Sequence, residues 1–229
     1  MLVLKLILTP TLVGIVSIVG RRWGPAVSGW LVGLPLTSAP VSLFFALDQG
    51  NAFASHAALG TMVGLISVAA SCLTYSWLSF RANWLCCWLS GWCVFFASTF
   101  ILEQVSLPLA LSFLGVVSFL GVTLKLLPKN HPDVITTNPP AWEIIARMLL
   151  ATAFLLLLTG LASSLGPRLS GLLTPLPIYA TILGVFTHHF YGAAAARQLL
   201  RGVVFGSFAF AVFFLVGCHN RGGGGCCDF

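Results

Sequence analysis

The chain has 229 residues, of which 58% are hydrophobic and 7% charged, with a mean hydropathy of +1.00 and a formal net charge of +6. A water-soluble domain carries about 25% charged residues, so this composition argues against a soluble globular protein and for one embedded in a membrane. The basic residues are scattered over short connections rather than gathered into a patch, which argues against a nucleic-acid surface.

Eight apolar stretches, near 2–20, 28–47, 54–78, 84–102, 107–127, 143–162, 169–187 and 200–217, approach or reach membrane-spanning length. A hydrocarbon layer of about 30 Å takes roughly 20 helical residues. Backbone groups in lipid must be satisfied within the segment, so helices are expected. The runs lack the apolar/polar alternation of a β-barrel. The predicted fold class is therefore all-α, a polytopic transmembrane bundle of about eight helices.

In chain order, the first stretch carries Lys5 and ends in Arg21-Arg22 without a small-residue cleavage site, so it reads as a membrane helix rather than a signal peptide. The second is crowded with glycine and proline and is followed by Asp48. The third and fourth hold Cys72, Cys86, Cys87 and Cys93, which at these positions behave as small apolar residues; no disulfide framework is expected. Glu103 closes the fourth. Residues 128–142, rich in proline and polar residues, read as a stiff cytoplasmic linker. The sixth stretch opens with Glu143 and Arg147, four apart in the favourable order for a helical ion pair. The seventh closes on His188-His189-Phe190-Tyr191-Gly192. Beyond 217, residues 218–229 contain four glycines in a row and read as a disordered tail. Cys218, His219, Cys226 and Cys227 fit no common zinc spacing, so neither a metal nor another cofactor is expected.

Charge predicts the orientation. The connections after odd-numbered spans carry Arg21, Arg22, Arg81, Lys125, Lys129, Arg197 and Arg201, with Arg147 nearby. The opposite side has Lys5, Arg168 and Arg221, with the acidic Asp48 and Glu103. Lysine and arginine favour the cytoplasmic side. Both termini are thus expected outside, in a multi-pass protein of the inner (plasma) membrane.

An internal repeat organises the whole. Gly24-Pro25-x-x-Ser28-Gly29-x-Leu31-x-x-Leu34-Pro35 recurs, 142 residues later, as Gly166-Pro167-x-x-Ser170-Gly171-x-Leu173-x-x-Leu176-Pro177. The same offset pairs Phe44 with Phe186, Gly50 with Gly192, Gly60 with Gly202 and Gly64 with Gly206. The copies begin five spans apart, and an odd number inverts the second relative to the first. The charges swap accordingly: Arg21-Arg22 of the first copy align with Ser163-Ser164 of the second. We divide the chain into a first half (1–127, about five helices), the linker 128–142, and a shorter second half (143–217, about three helices).

The repeated motif makes two poor helices. Interior prolines free carbonyls and bend the helix, and freed backbone at membrane depth survives only when buried in protein or lining a cavity. Paired Gly/Pro-broken helices in two halves are a pointer to a transporter's binding site. The candidate substrate-binding residues are Ser28, Gly29, Pro35, Thr37 and Ser38 in one copy and Ser170, Gly171, Pro177 and Tyr179 in the other. The competing reading is structural: Gly24-Pro25 starts a helix, and Ser28-Gly29 allows close packing. Asp48, Glu103 and His188 are candidates for gating or ion binding; the alternatives are solvated interfacial acids and, for His188, a helix C-terminal cap. No catalytic set emerges, with no phosphate-binding Gly-Lys-Ser/Thr loop, Gly-x-Ser-x-Gly elbow or His-Glu-x-x-His, so an enzyme is not expected.

The run Arg21-Arg22-Trp23-Gly24-Pro25, then Gly29-Trp30-Leu31-Val32-Gly33-Leu34-Pro35-Leu36-Thr37-Ser38-Ala39-Pro40 and Ala46-Leu47-Asp48-Gln49-Gly50, resembles a family of uncharacterised polytopic bacterial inner-membrane proteins. The five-helix inverted repeat is more distantly similar, in architecture, to the drug/metabolite transporter superfamily. That likeness implies ten helices and a cytoplasmic N-terminus, against eight spans and an outside N-terminus here. The functional expectation is a small-solute secondary transporter or permease; the alternative is a non-transporting membrane scaffold or assembly partner. The expected partners are the lipid bilayer and an unidentified small molecule, with self-association into a homo-oligomer also compatible. The inversion predicts that, in intact cells and a cysteine-free background, Leu165→Cys reacts with a membrane-impermeant thiol reagent while Trp23→Cys does not; labelling of both from one side would remove it.

Overall fold

The computed structural model describes residues 2–35, 51–104, 108–128, 140, 142–154, 156–157 and 178–221. Every regular element among them is helical: α1 (Leu2–Trp23), α2 (Pro25–Gly33), α3 (Asn51–Leu78), α4 (Trp84–Glu103), α5 (Leu109–Leu126), α6 (142–154) and α7 (Ile178–Arg221). Linker residues 129–139 and tail residues 222–229 lie outside the described residues.

Local chemistry sets the boundaries. α1 runs past its apolar stretch to include Arg21 and Arg22, whose charges suit a helix C-terminus. The chain then turns at Gly24 with φ 93°, a conformation that favours glycine. Pro25 occupies the first turn of α2, where its missing N–H costs nothing. α2 stops at Gly33 because Leu34 precedes Pro35 and is forced extended (φ −76°, ψ 152°). The helix expected over 28–47 therefore starts earlier, at Pro25, and its described part ends at Gly33. α7 departs from expectation too. Only Gly192 (φ 85°, ψ 172°) interrupts it, so the second arm begins at 193 rather than near 200. Four consecutive alanines, Ala193 to Ala196, explain the early start. Arg197 and Arg201 consequently sit on a helix, not in a loop.

Both positive-φ glycines reverse the chain. A side-chain carbon built on Gly20 would lie 3.0 Å from Ser28, and one on Gly184 would lie 3.8 Å from Leu200. Gly20 and Ser28 are placed symmetrically about Gly24, and Gly184 and Leu200 symmetrically about Gly192. In unbroken helices these pairs would stand roughly 12 and 24 Å apart. Each segment is thus a helical hairpin: α1 against α2, and the first arm of α7 against its second.

Contacts gather the helix ends at one pole. Arg21 at the end of α1 reaches Glu143 at the start of α6. Trp77 near the end of α3 donates its indole N–H to Leu126 O at the end of α5 (3.2 Å). Arg197 and Arg201, on the second arm of α7, donate to Ser79 Oγ and Leu127 O. Trp84, opening α4, and Trp142, opening α6, meet His189 and Phe190 beside the Gly192 turn. This basic pole carries Arg21, Arg22, Arg81, Lys125, Arg147, Arg197 and Arg201. The helices run alternately toward it and away from it.

α3 forms much of the interior, burying Met62, Leu65, Ala69 and Cys72 against Phe95 of α4, Val116 and Leu120 of α5, and Leu183, Leu199 and Val203 of α7. The outward faces are apolar as well: Phe96, Phe100, Leu114 and Leu149 are at least half exposed. Helices apolar all round need an apolar surrounding. Leu59–Leu78, Trp84–Leu102, Leu109–Leu126 and Ile178–Val216 are, by length and composition, able to cross a membrane. The architecture is that of an all-helical membrane protein.

The most extensive helix pairing joins α2 to the second arm of α7. Gly29 and Gly33, four apart, face Gly202 and Gly206, also four apart. A side chain on Gly29 would collide with Leu199 O, one on Gly33 with Val203 O, one on Gly202 with Ala26 O and one on Gly206 with Trp30 O. The helices run parallel with backbones touching, the mode of association that small-xxx-small motifs permit in lipid. Gly29→Ala and Gly202→Ala should each destabilise the protein in detergent by about 2 kcal/mol or more, as overpacking does. Gly115→Ala, where a side chain meets open space, should be neutral or mildly stabilising. Thermal unfolding of the three variants checks this.

Candidate functional site

The residues singled out from the sequence fall into three groups. Ser28 and Gly29 lie on the buried face of α2. Ser28 Oγ donates to Pro25 O at 2.9 Å, one turn back, and packs against Gly20. Its hydroxyl proton therefore serves the first turn of α2, while Gly29 is consumed by the crossing with α7. Pro35 follows the helix in extended chain and is half-buried. Tyr179 stands at the start of the first arm of α7, its Oη 3.0 Å from Thr9 Oγ1 on α1. Thr37, Ser38, Asp48, Ser170, Gly171 and Pro177 lie outside the described residues, as does the side chain of Glu103, the last residue of α4.

The structure does bring Tyr179 toward α2. Between them is a crevice lined by Val13 and Val16 of α1, Leu31 and Val32 of α2, and Tyr179 and Leu183 of α7. Its free volume is about 20 Å³, room for a water-sized molecule. The lining is aliphatic apart from Tyr179, and Ser28 is not part of it.

On the other face of the same α7 arm lies a second cavity, also of about 20 Å³, walled by Tyr75, Trp88, Trp92 and Phe95 with Cys72 and Gly184. Neither cavity is lined by a charged side chain among the described residues. The first arm of α7 is thus a partition: Tyr179 and Leu183 face one space, Ala180 and Gly184 the other. Hydrogen bonds tie it on both sides, Tyr179 to Thr9 and His188 Nδ1 to Tyr75 Oη at 3.0 Å. His188 is therefore engaged by α3 near the basic pole, away from the crevice at α2, with its ring edge-on to Tyr75 at 5.8 Å.

The strongest electrostatic feature is a buried ion triad at the basic pole. Glu143, 1% exposed, accepts from Arg21 Nη2 at 2.9 Å through one carboxylate oxygen and from Arg147 Nη2 through the other. Arg21 also donates to Pro140 O at 3.0 Å, and the Arg147 guanidinium lies 5.5 Å over the Phe186 ring. The triad ties α1, α6 and the first arm of α7 together. The Glu143–Arg147 pair is the helical one legible in the spacing; Arg21 is the member that sequence reasoning missed. In the sequence it is one of two adjacent arginines, and nothing local distinguishes it from Arg22, which lies instead 5.7 Å over Trp23. Tyr75 and Trp92 were missed as well, since aromatic residues inside apolar helices carry no positional signal.

Glu143→Gln would leave two arginines sharing a neutral amide. Breaking a buried pair by removing one charge costs about 3–5 kcal/mol, so this variant should lose most of the protein's thermal stability in detergent. Arg21→Ala, removing the partly exposed member, should cost about 1 kcal/mol. The two variants compared in one unfolding series check the ranking. No family model, no curated protein and no solved structure matches this chain.

Proposed function

We propose that this membrane protein is a small-solute permease, with the first arm of α7 as the element along which the solute passes. The observation that carries this reading is the partition itself. One short helix is flanked by a cavity on each face, hydrogen-bonded to α1 through Tyr179 and to α3 through His188, and joined to the rest of α7 at Gly192, where nothing stands within 4 Å of a side-chain position. The second arm, by contrast, is locked to α2 backbone to backbone. A hinged arm beside a fixed one is the arrangement that gating requires.

Two observations support the inverted repeat within this reading. α3 begins at Asn51 and the second arm of α7 begins directly after Gly192, preserving the 142-residue offset. α1 and α6, the leading helices of the two copies, pack on each other where Gly14 meets Met148. The accumulation of arginine at one pole supports a cytoplasmic assignment for that pole and a plasma-membrane location.

The second reading, a non-transporting scaffold, draws on the aliphatic lining of the crevice between α2 and α7. Against it, the small-residue face of α2, the feature a scaffold would offer to another protein, is already used within the chain. Proteoliposome flux separates the two. Stopped-flow light scattering with a panel of uncharged osmolytes should show at least one solute entering faster than in protein-free liposomes. Leu31→Trp, which fills the crevice, should slow it severalfold. Baseline flux for every solute would leave the scaffold.

A further inference from the structure

Three helix ends meet at one corner of the basic pole. Trp77, near the end of α3, donates its indole N–H to Leu126 O of α5, and Arg201 on the second arm of α7 donates to Leu127 O just beyond it. Arg197, one turn before Arg201, donates to Ser79 Oγ in the turn that follows α3 and lies 4.1 Å over the Phe80 ring. Residues from three distant parts of the chain are thereby held side by side.

Two further cations stand exposed at the same corner. Arg81 follows Phe80 in the turn between α3 and α4, its backbone N–H donating to Leu78 O at 2.9 Å, and Lys125 lies in the last turn of α5. Neither side chain has a hydrogen bond or an ion pair among the described residues. Glu143 is the one carboxylate side chain among those residues, and it is held between Arg21 and Arg147 on the side of α1 and α6. The corner therefore gathers Arg81, Lys125, Arg197 and Arg201 with no described counter-charge. Apolar surface adjoins these cations, since Trp77, Phe80 and Leu126 are each at least half exposed.

We propose that this corner binds an anionic phospholipid, with Arg81 and Lys125 on the headgroup and Trp77, Phe80 and Leu126 beside the glycerol and upper acyl chains. The inference goes beyond the permease reading and needs only that the chain lies in a membrane. Phosphate is the anion that an arginine fork and a lysine ammonium bind well, and basic groups between helix ends on one side of a membrane favour anionic headgroups. Tryptophan suits the same depth, where one end of the ring is apolar and the other wet. A soluble phosphate ester would meet the cations but leave the exposed apolar surface uncovered. A zwitterionic lipid would cover that surface but bring a cation of its own to a corner that already has an excess of them.

The corner exists only in the folded chain, because α3, α5 and the second arm of α7 each supply part of it. A lipid bound there acts on the native state and not on the unfolded one, so its binding is read as added stability.

The test follows thermal unfolding of the full chain in micelles of an uncharged detergent. Phosphatidylglycerol, phosphatidylcholine with the same acyl chains, and glycerol 3-phosphate are titrated in parallel. Phosphatidylglycerol alone should raise the midpoint saturably, by about 3 °C or more. Arg81→Gln and Lys125→Gln should each raise the half-saturating lipid concentration about fivefold, the change that roughly 1 kcal/mol per surface cation gives. Lys125→Arg, which keeps the charge, should titrate as the wild type does. Arg22→Gln, which removes the same charge at the end of α1, should leave half-saturation within about twofold. The lipid-free midpoints check that each variant folds. Equal weakening by Arg22→Gln and the two corner variants would overturn the site and leave a diffuse attraction to the whole pole. Equal stabilisation by phosphatidylcholine would overturn the role of headgroup charge. A saturable response to glycerol 3-phosphate that the corner variants abolish would overturn the lipid in favour of a soluble ester. No response to any of the three would overturn the site altogether.

Discussion

Backbone oxygens of Leu199 and Val203 stand where side chains of Gly29 and Gly33 would begin, and those of Ala26 and Trp30 do the same to Gly202 and Gly206. Lipid tails are as apolar as leucine, so burial of hydrocarbon gives helices little reason to associate there. Close packing and backbone contact must supply it. Four glycines bring two helices into backbone contact as one close pair, and because each of the two belongs to a hairpin, that pair anchors the ends from which α1 and the first arm of α7 fold back. The intrinsic weakness of glycine in a helix, about 1 kcal/mol each relative to alanine, is the cost of this approach.

The rest of the molecule is arranged around that pair with a clear division of chemistry. Polar and ionic interactions concentrate at the basic pole, where Arg21, Glu143 and Arg147 join three elements and Arg197 and Arg201 fasten α7 to the ends of α3 and α5. Away from it the contacts among the described residues are mainly apolar, and a small cavity lies on either side of the first α7 arm. Stiffness comes from the glycine crossing and from the triad, which reaches the first arm of α7 through Phe186.

Much of this was legible in the sequence, though unevenly. The apolar runs located α3, α4 and α5 to within a few residues, because a membrane helix must be long, continuous and uncharged. The repeat pointed to the segments containing Gly24, Ser28, Gly29 and Tyr179. What it could not supply was the partner of each glycine: the motif 29/33 meets 202/206, and only folding brings together residues so distant in sequence. The end of α2 was legible in principle, since Pro35 dictates an extended Leu34, yet the apolar run continuing to 47 masked it. Ala193 to Ala196 form a helix because alanine has the highest helix propensity, a signal that the flanking Gly192 and Arg197 obscure in the sequence. Arg21 and Trp92 needed the structure, since a third member of an ion cluster and the aromatic wall of a cavity are properties of neighbours rather than of spacing.

The glycine crossing has a consequence for how the protein is made. α2 emerges from the ribosome early, but the surface it must pack against, beginning at Leu199, is synthesised about 170 residues later. At roughly 5–20 residues per second, the first hairpin waits on the order of 10–30 s with its bare glycine face unoccupied in the membrane. During that interval the face is open to any other helix with small residues, including those of a second nascent chain. The accuracy of assembly thus depends on the late hairpin arriving before a competitor does, and a stalled or truncated chain would remain exposed to mispairing for as long as it persists.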